Sequence, residues 1–280
     1  MRIKADLHLH SVYSDGLYSP DEICRMAKRA ELSLIAITDH DTLNGETVKR
    51  EAAKRHGLRY LSGWEVSAYT GGNQIHVLGY GCQQGEAYRT FMQKRWEASL
   101  LRAKDSVAKF CSIGVPLTIE RVLSKQADRT APLHTMHIAR AAAELLGMNE
   151  GEVYRNYLSR GKAANSGIGR PTPQEAIDCI HASDGFAVIA HPGRIRLPQS
   201  ETMRILNELA DYGVDGIETY YTTHTEEETE QFRAFAKRRG LFVTGGSDTH
   251  YEEGKHTIGV PQYYMDENFF ALLDKKGKIL

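Results

Sequence analysis

The stretch Asp6-Leu7-His8-Leu9-His10, near the start of the chain, alternates polar and apolar residues and constrains the fold most strongly. In a β-strand, residues two apart lie on the same face, so Asp6, His8 and His10 share one side and the leucines share the other. Two imidazoles and a carboxylate this close together pack poorly unless they bind something, and a divalent metal ion would suit them. An ordinary pair of hydrogen-bonded histidines is the alternative that this stretch alone leaves open.

Length and composition indicate a globular protein. The chain has 280 residues, of which 41% are hydrophobic and 25% are charged, which suits one large domain or one domain with an insertion. No apolar run approaches the about 20 residues that span a bilayer, and the first residues show no signal-peptide pattern. The cysteines are scattered, which argues against a disulfide framework: Cys24, Cys82, Cys111 and Cys179. We therefore expect a cytoplasmic protein that does not associate with a membrane.

Charge is spread unevenly along the chain. The formal net charge of −1 argues against a general nucleic-acid binder. Residues 82–170, however, carry 14 Lys and Arg against 8 Asp and Glu, and the rest of the chain is net acidic. This division predicts an anionic substrate held between a basic segment and an acidic, metal-binding body. Surface helices are often rich in lysine and arginine, which is the alternative interpretation.

The order of predicted elements indicates an α/β protein with an insertion. Short apolar strands alternate with helices in the first and last thirds of the chain, and the runs Ser19–Glu22 and Thr172–Glu175 are typical helix starts. Between them, the spacing of apolar residues is helical and strand-like runs are missing. We predict a first barrel part over residues 1–82, a helical insertion over 83–169 and a second barrel part over 170–280.

Metal-ligand residue types recur in or just after the predicted strands. They are His8, His10, Asp39, His40, Glu65, His76, His191, Glu218, Asp248 and His250. In a barrel of alternating strands and helices, the carboxyl ends of the strands converge on one rim, where active sites lie. A single histidine or glutamate here could be structural, and Asp39 or Asp248 could cap a helix. Their joint recurrence favours a shared metal centre.

Several motifs carry a resemblance to a known family. They are Asp6–Ser11, Ser14–Gly16, Ile37–Asp41, Gly63–Ser67, Ile75–Val77, Ala190–Pro192 and Gly246–His250. In this order they resemble the polymerase-and-histidinol-phosphatase (PHP) family. The resemblance implies a distorted (β/α)7 TIM-like barrel that holds two or three divalent metal ions, Mn²⁺, Zn²⁺ or Fe²⁺. The mixture of imidazoles and carboxylates without thiolates also suits these ions.

The resemblance implies a catalytic role and a ligand role for nine residues. One ion is expected to bind His8, His10, Glu65 and Asp248. A second is expected to share Glu65 with His76 and His191, and a third to bind Asp15, His40 and His250. Asp15 is added by the resemblance alone.

Clustered divalent ions suit the hydrolysis of phosphate esters. They neutralise phosphate oxygens and lower the pKa of a water, so that hydroxide is present at neutral pH and can attack phosphorus. We therefore expect a metal-dependent phosphatase or exonuclease. The phrases Tyr157–Lys162 and His191–Arg194 look most like the group of nucleoside 3',5'-bisphosphate phosphatases and 5'-3' exoribonucleases. The expected substrate is a phosphorylated small molecule or nucleotide, or a single-stranded RNA end, and no obligate protein partner is evident.

That likeness implies four substrate-binding residues, Lys162, Arg194, His137 and Arg140. For Arg194, a salt bridge at the barrel rim is the alternative. We expect His224, in the loop after a predicted strand, to lie near enough to the rim to contact substrate, and an exposed surface histidine is the alternative. The sequence departs from the group at Thr135, where an arginine is usual, and the departure leaves the exact substrate open.

Three other functions remain as alternatives. A histidinol-phosphate-type or other small-metabolite phosphatase would share the metal centre and differ in its substrate pocket. A metal-dependent amidohydrolase would usually carry a lysine at a strand end, and no predicted strand here ends in lysine. An inactive regulatory PHP module would usually have lost metal ligands, whereas every matched ligand position is retained here.

Overall fold

A computed structural model describes residues 2–126, 131–252 and 256–280 of the chain. The chain divides into two compact units. One contains Met1–Tyr88 and Thr172–Leu280, and the other contains Arg89–Pro171.

The elements follow one another in this order. The strands are β1 (Lys4–Leu9), β2 (Leu34–Ile37), β3 (Arg59–Tyr60), β4 (Gly63–Thr70), β5 (Asn73–Tyr80), β6 (Phe186–Ile189), β7 (Gly216–Tyr221), β8 (Phe242–Gly246) and β9 (Tyr263–Tyr264). The helices are α1 (Pro20–Arg29), α2 (Glu46–Arg55), α3 (Glu86–Ser112), α4 (Ile119–Leu123), α5 (Thr135–Leu146), α6 (Glu150–Val153), α7 (Pro173–Ala182), α8 (Gln199–Asp211), α9 (Glu226–Arg239) and α10 (Glu267–Lys275). A π-helical turn covers Tyr154–Leu158, and a 3-10 turn covers Pro192–Arg194.

The strands form two sheets, and the prediction of an α/β fold is confirmed. One sheet has the order β3-β2-β1-β9 and the other the order β4-β5-β6-β7-β8. The strand pairing does not show the predicted (β/α)7 TIM-like barrel, because β5 is antiparallel to both β4 and β6. The physical reason is the turn at Gly71 and Gly72, which both have positive φ and join β4 to β5 as a tight hairpin. A parallel pair would need a long crossover connection instead.

The edges of the two sheets meet at one rim. Isolated parallel bridges join Leu9 to Thr249 and His40 to Glu65, so the ends of β1 and β2 lie beside the end of β8 and the start of β4. The backbone N–H of Asp248 also donates to the carbonyl of His8 over 2.8 Å. These contacts bring ligand-type residues from both sheets to one place.

The core of the first unit lies between the sheets and beneath the helices. Leu7, Leu34, Leu78 and Val188, from four strands of the two sheets, are fully buried in one apolar cluster. A second cluster contains apolar residues of α1 and α2 packed against β1 and β2. Burial of such side chains stabilises the folded state by about 1.5–3 kcal/mol each.

Local sequence signals set the helix ends as predicted. Ser19 caps α1 in a capping box with Glu22, and Thr172 caps α7 in the same way with Glu175. Gly240 ends α9 with a φ of 67°. β9 is not predicted from the sequence, since a strand of two residues has no readable period, and α10 is not predicted either.

The second unit contains helices and no strand in the part that the structure describes. Its core consists of small and aliphatic side chains from α3, α4, α5 and the segments around the π-helical turn, together with the buried ring of Phe110. Throughout the described ranges, no helix has both the length and the hydropathy that crossing a bilayer requires.

Candidate metal centre

Four buried side chains at the rim form the first group of possible metal ligands. Nε2 of His8 lies 3.2 Å from Oε2 of Glu65 and 3.4 Å from Oδ1 of Asp248. Nε2 of His10 lies 3.3 Å and 3.1 Å from the same two oxygens. The ligand atoms of this group all lie within 4.8 Å of one another. Their arrangement matches the set that the resemblance implies for one ion.

Glu65 connects the first group to a second one. Its Oε1 lies 2.8 Å from Nδ1 of His76 and 2.8 Å from Nε2 of His191. Its Oε2 lies 3.1 Å from Nδ1 of His40. The ligand atoms of His40, Glu65 and His76 all lie within 4.8 Å of one another. Both oxygens of one carboxylate therefore face histidines, as a bridging ligand would.

A third group lies around Asp15. Oδ1 of Asp15 is 3.3 Å from Nε2 of His250 and 3.8 Å from Nδ1 of His10. Its Oδ2 is 3.9 Å from Nε2 of His40. The side chain of Asp15 is 56% exposed, whereas His10 is buried, so this group opens toward solvent. His10 and His40 each belong to two groups. The resemblance assigns each of them to one ion only, so this sharing is not predicted from the sequence.

The residues fit divalent cations by their unpaired polar atoms. Six buried ligand-type atoms of the rim make no hydrogen bond of normal geometry, although nitrogens and oxygens among them face one another, as His8 Nε2 and Glu65 Oε2 do at 3.2 Å: His8 Nε2, both ring nitrogens of His10, His40 Nδ1, Glu65 Oε2 and Asp248 Oδ1. A buried polar atom without a partner costs about 1–3 kcal/mol, so six of them in one place require a compensating interaction. Cations would supply it. Among the described residues, the three groups contain no cysteine.

The electrostatics of the rim favour positive partners for its carboxylates. Burial raises the pKa of the Glu65 carboxyl, but histidines led by His76 outweigh burial and hold this pKa well below its usual range. Burial lowers the pKa of His10, but Asp248 and Glu65 outweigh it and raise this pKa to about 10. At His40 burial dominates, and its pKa falls to about 3. Metal ions can replace the histidine protons as the positive partners.

Two possible ligands have strained backbones. His191 has a φ of 23° and Asp248 a φ of 52°, values that non-glycine residues rarely adopt. Such strain persists where surrounding contacts hold it, and it concentrates at functional sites. At His191 the holding contact comes from Glu218, whose Oε2 accepts the backbone N–H of His191 over 2.8 Å.

Glu218 and Tyr221 support the ligands, and these roles are not predicted from the sequence. Glu218 is fully buried and its Oε1 lies 3.1 Å from Nδ1 of His8. This contact leaves Nε2 of His8 free to face a metal ion. The Tyr221 hydroxyl donates to Oδ2 of Asp248 over 2.8 Å. A glutamate in a strand was a visible signal for Glu218, but nothing in the sequence indicates Tyr221.

Asp6 does not belong to the metal-binding groups, although the strand period places it beside His8 and His10. Its Oδ2 accepts the backbone N–H of Gly259 over 2.8 Å, and its Oδ1 accepts that of Ser247 over 3.0 Å. Both oxygens of the Asp6 carboxylate thus accept hydrogen bonds from backbone amides, and neither belongs to the three groups of possible metal ligands.

Arg194 contacts one of the possible metal ligands, and both ring nitrogens of His224 bind backbone groups. Arg194 is half exposed, and its Nη1 lies 2.8 Å from Oδ2 of Asp248. Nδ1 of His224 donates to the carbonyl of Thr219 over 2.9 Å, and its Nε2 accepts the N–H of Gly193 over 3.1 Å. Since both ring nitrogens are occupied, His224 supports the turn before Arg194 and offers no free nitrogen to a substrate.

The other three predicted substrate-binding residues lie in the second unit. Nδ1 of His137 accepts the backbone N–H of His134 over 3.1 Å at the start of α5. Nε of Arg140 forms an ion pair with Glu150 over 2.7 Å. Lys162 is exposed in the turn that follows the π-helical segment.

Comparisons with known proteins agree with this geometry. The PHP domain family matches residues 6–145. A 3',5'-nucleoside bisphosphate phosphatase of Chromobacterium violaceum is 30% identical over 91% of this chain and 90% of that protein. A 5'-3' exoribonuclease of Haemophilus influenzae is 29% identical over 92% and 94%. The solved structure of an amidohydrolase from Chromobacterium violaceum with bound sulfate has a TM-score of 0.78 and 27% identity, over 99% of this chain and 97% of that one. The chain belongs to the PHP family of metal-dependent phosphoesterases.

Proposed function

We propose that this protein hydrolyses a phosphate ester of a nucleotide, with nucleoside 3',5'-bisphosphates as the first candidate substrates and short 5'-phosphorylated RNA as the second. The observation that carries the proposal is the position of Glu65, which belongs to two of the three groups of possible metal ligands. Its Oε2 also faces His10 and His40, the two histidines that the third group shares. The names of the two relatives support this choice of substrates.

Nine residues are proposed to hold two or three divalent ions, Mn²⁺, Zn²⁺ or Fe²⁺. They are His8, His10, Asp15, His40, Glu65, His76, His191, Asp248 and His250. When bound, such ions neutralise phosphate oxygens and lower the pKa of water. The chain itself fixes the positions of these ligands through buried contacts, such as that of Glu218 with His8.

Arg194 is proposed to hold a phosphate oxygen of the substrate. It is half exposed, and a cavity of about 120 Å³ is lined by His76, His191 and Arg194. A guanidinium recognises phosphate through paired, charge-assisted hydrogen bonds. The bound sulfate of the Chromobacterium structure is consistent with an anion site in a relative. Lys162, His137 and Arg140 are proposed as further phosphate ligands on the strength of the family likeness alone.

We propose that the two sheets together form one distorted barrel. Residues 1–82 and 170–280 are its two parts, and residues 83–169 are the insertion. The isolated bridges between the sheet edges support this proposal, since they continue the strand order where the ladders stop.

Turnover assays with added Mn²⁺ test the proposal. Phosphate release is measured for nucleoside 3',5'-bisphosphates and histidinol phosphate, release of mononucleotides for 5'-phosphorylated RNA, and release of amine for a set of amides. We expect the wild-type enzyme to hydrolyse the nucleotides. The variants His10→Ala and Asp248→Asn should hydrolyse none of them, although circular dichroism should show that both variants fold normally. Faster turnover of histidinol phosphate or of an amide would replace the proposed substrate class. Full activity after removal of all metal would refute the metal centre itself.

A further inference from the structure

A lysine and an aspartate form an ion pair beneath the metal centre with no solvent exposure. Nζ of Lys49, on α2, lies 2.7 Å from Oδ2 of Asp39, and neither side chain is exposed. Buried ion pairs are poor contributors to stability, because desolvation of both charges offsets their attraction. A pair of this kind therefore requires a reason other than stability.

The carboxylate of Asp39 accepts hydrogen bonds from one loop, residues Ser11–Gly16 after β1. Its Oδ1 accepts the backbone N–H of Ser11 over 2.7 Å and the hydroxyl of Ser14 over 2.8 Å. Its Oδ2 accepts the hydroxyl of Ser11 over 2.7 Å. Three hydrogen bonds thus run from the loop after β1 to a single side chain.

The same loop carries Asp15 into the third group of possible ligands. The carbonyl of Ser11 accepts the N–H groups of Ser14 and Gly16, each over 3.1 Å, so Ser11 fixes the turn on both sides of Asp15. Gly16 has no room for a side chain, since a Cβ there would lie 2.3 Å from the carbonyl oxygen of His10. The position of Asp15 therefore depends on how Ser11 is held.

Lys49 completes the arrangement by pairing with the carboxylate that holds the loop. Its Nζ lies 2.7 Å from Oδ2 of Asp39, the same oxygen that accepts the hydroxyl of Ser11. Hydrogen bonds to a charged acceptor are about twice as strong as those to a neutral one. The aromatic ring of Tyr13, in the same loop, also lies 5.6 Å from Nζ of Lys49.

We propose that Lys49 and Asp39 are positioning residues that hold the Ser11–Gly16 loop so that Asp15 completes the third metal-binding group. The inference rests on the proposed metal centre and adds to it residues that touch no metal. It predicts that loss of Lys49 weakens metal binding through Asp15 and leaves the first group, around Glu65 and Asp248, able to bind.

A double-mutant cycle on Mn²⁺ affinity tests this role. Mn²⁺ is titrated into metal-free full-length protein by calorimetry for the wild type, Lys49→Met, Asp15→Asn and the double variant. We expect each single variant to weaken the weakest Mn²⁺ site by about 10- to 100-fold, as losses of supporting contacts do. The double variant should be no weaker than Asp15→Asn, because both changes remove the same interaction.

Three outcomes separate the possibilities. Effects that add in the double variant, or wild-type affinity in Lys49→Met, would overturn the positioning role. A wild-type protein that binds no Mn²⁺ would instead refute the proposed metal centre. Lys54→Met, at an exposed position of the same helix, is the matched control and should bind as the wild type does.

If Lys49→Met does not fold, Ser11→Ala carries the test. It removes one hydrogen bond to Asp39 and changes no charge. The same non-additivity with Asp15→Asn is expected from it, and additive effects would again overturn the proposal.

Discussion

The hydroxyl of Tyr221 donates a hydrogen bond to Oδ2 of Asp248 over 2.8 Å, and this contact gives the two oxygens of the carboxylate different partners. Nη1 of Arg194 also reaches Oδ2, so Oδ1 alone faces the ring nitrogens of His8 and His10. A side chain with no place in the sequence motifs thus decides which oxygen of a motif residue can meet a metal ion.

Tyr221→Phe should therefore weaken metal binding without unfolding the protein. Loss of the hydroxyl frees Asp248 to rotate, and we expect Mn²⁺ affinity to fall by about 10-fold or more. Calorimetric titration measures it. Tyr220→Phe, one residue away on β7, is the control and should bind Mn²⁺ normally. Equal affinities in the two variants would show that the Tyr221 hydroxyl does not orient Asp248.

Glu218→Gln should disturb His8 in a similar way. The Glu218 carboxylate lies 3.1 Å from Nδ1 of His8 and selects the tautomer whose Nε2 faces the metal centre. The neutral amide accepts that hydrogen bond more weakly, so we expect metal content after dialysis and kcat to fall together. Glu227→Gln, at an exposed position of α9, should change neither. Normal metal content in Glu218→Gln would contradict this role.

Arg194→Ala should raise KM and lower kcat/KM for phosphorylated substrates by about 10- to 100-fold, since a charge-assisted contact contributes roughly 1.5–3 kcal/mol. Steady-state kinetics on the nucleotide that the screen identifies measure the effect. Arg196→Ala removes a second exposed guanidinium from the same loop and serves as the control. Unchanged kinetics in Arg194→Ala would remove Arg194 from the phosphate site.

Metal binding should stabilise the fold. The ions would bind the folded rim and not the unfolded chain, so free Mn²⁺ at 100 times its Kd should add about 2.7 kcal/mol to the free energy of unfolding. Calorimetric Tm values of chelator-treated protein with and without Mn²⁺ test this. Asp248→Asn should gain much less. A Tm that does not respond to any of the three proposed metals would contradict the metal centre.

The stability of the second unit should depend on pH through His137. Its Nδ1 accepts the N–H of His134, so that nitrogen has to be unprotonated. Burial, and after it the nearby His134 and Arg140, lower the pKa of His137 to about 4. This value lies below the about 6.5 of a histidine in an unfolded chain. The unfolded state therefore binds the proton first, and the contribution of His137 is present above pH 6.5 and is lost as pH falls toward 4.

Urea midpoints between pH 7.5 and 4.5 test this sign. The wild type should lose stability more steeply over that range than His137→Gln, whose side chain does not titrate. Parallel curves for the two proteins would show that His137 does not contribute to the pH dependence.

The sequence by itself determined the class of the fold, the family and the residue types of the centre. Period-two alternation in β1 placed His8 and His10 on one face, and the capping boxes at Ser19 and Thr172 set helix starts. These are local properties, because spacing along a strand or a helical turn is fixed by backbone geometry. The two glycines between β4 and β5 are typical of a turn, although the antiparallel direction of β5 is not predicted.

Only the tertiary structure decided which atoms meet. Glu218 contacts His8 across 210 residues of sequence, and Tyr221 selects one oxygen of Asp248. Asp6 has the right spacing for a ligand, yet amides of Ser247 and Gly259 occupy it. Such choices depend on how distant strands pack, and a one-dimensional pattern contains residue types and periods but no distances between segments far apart in the chain.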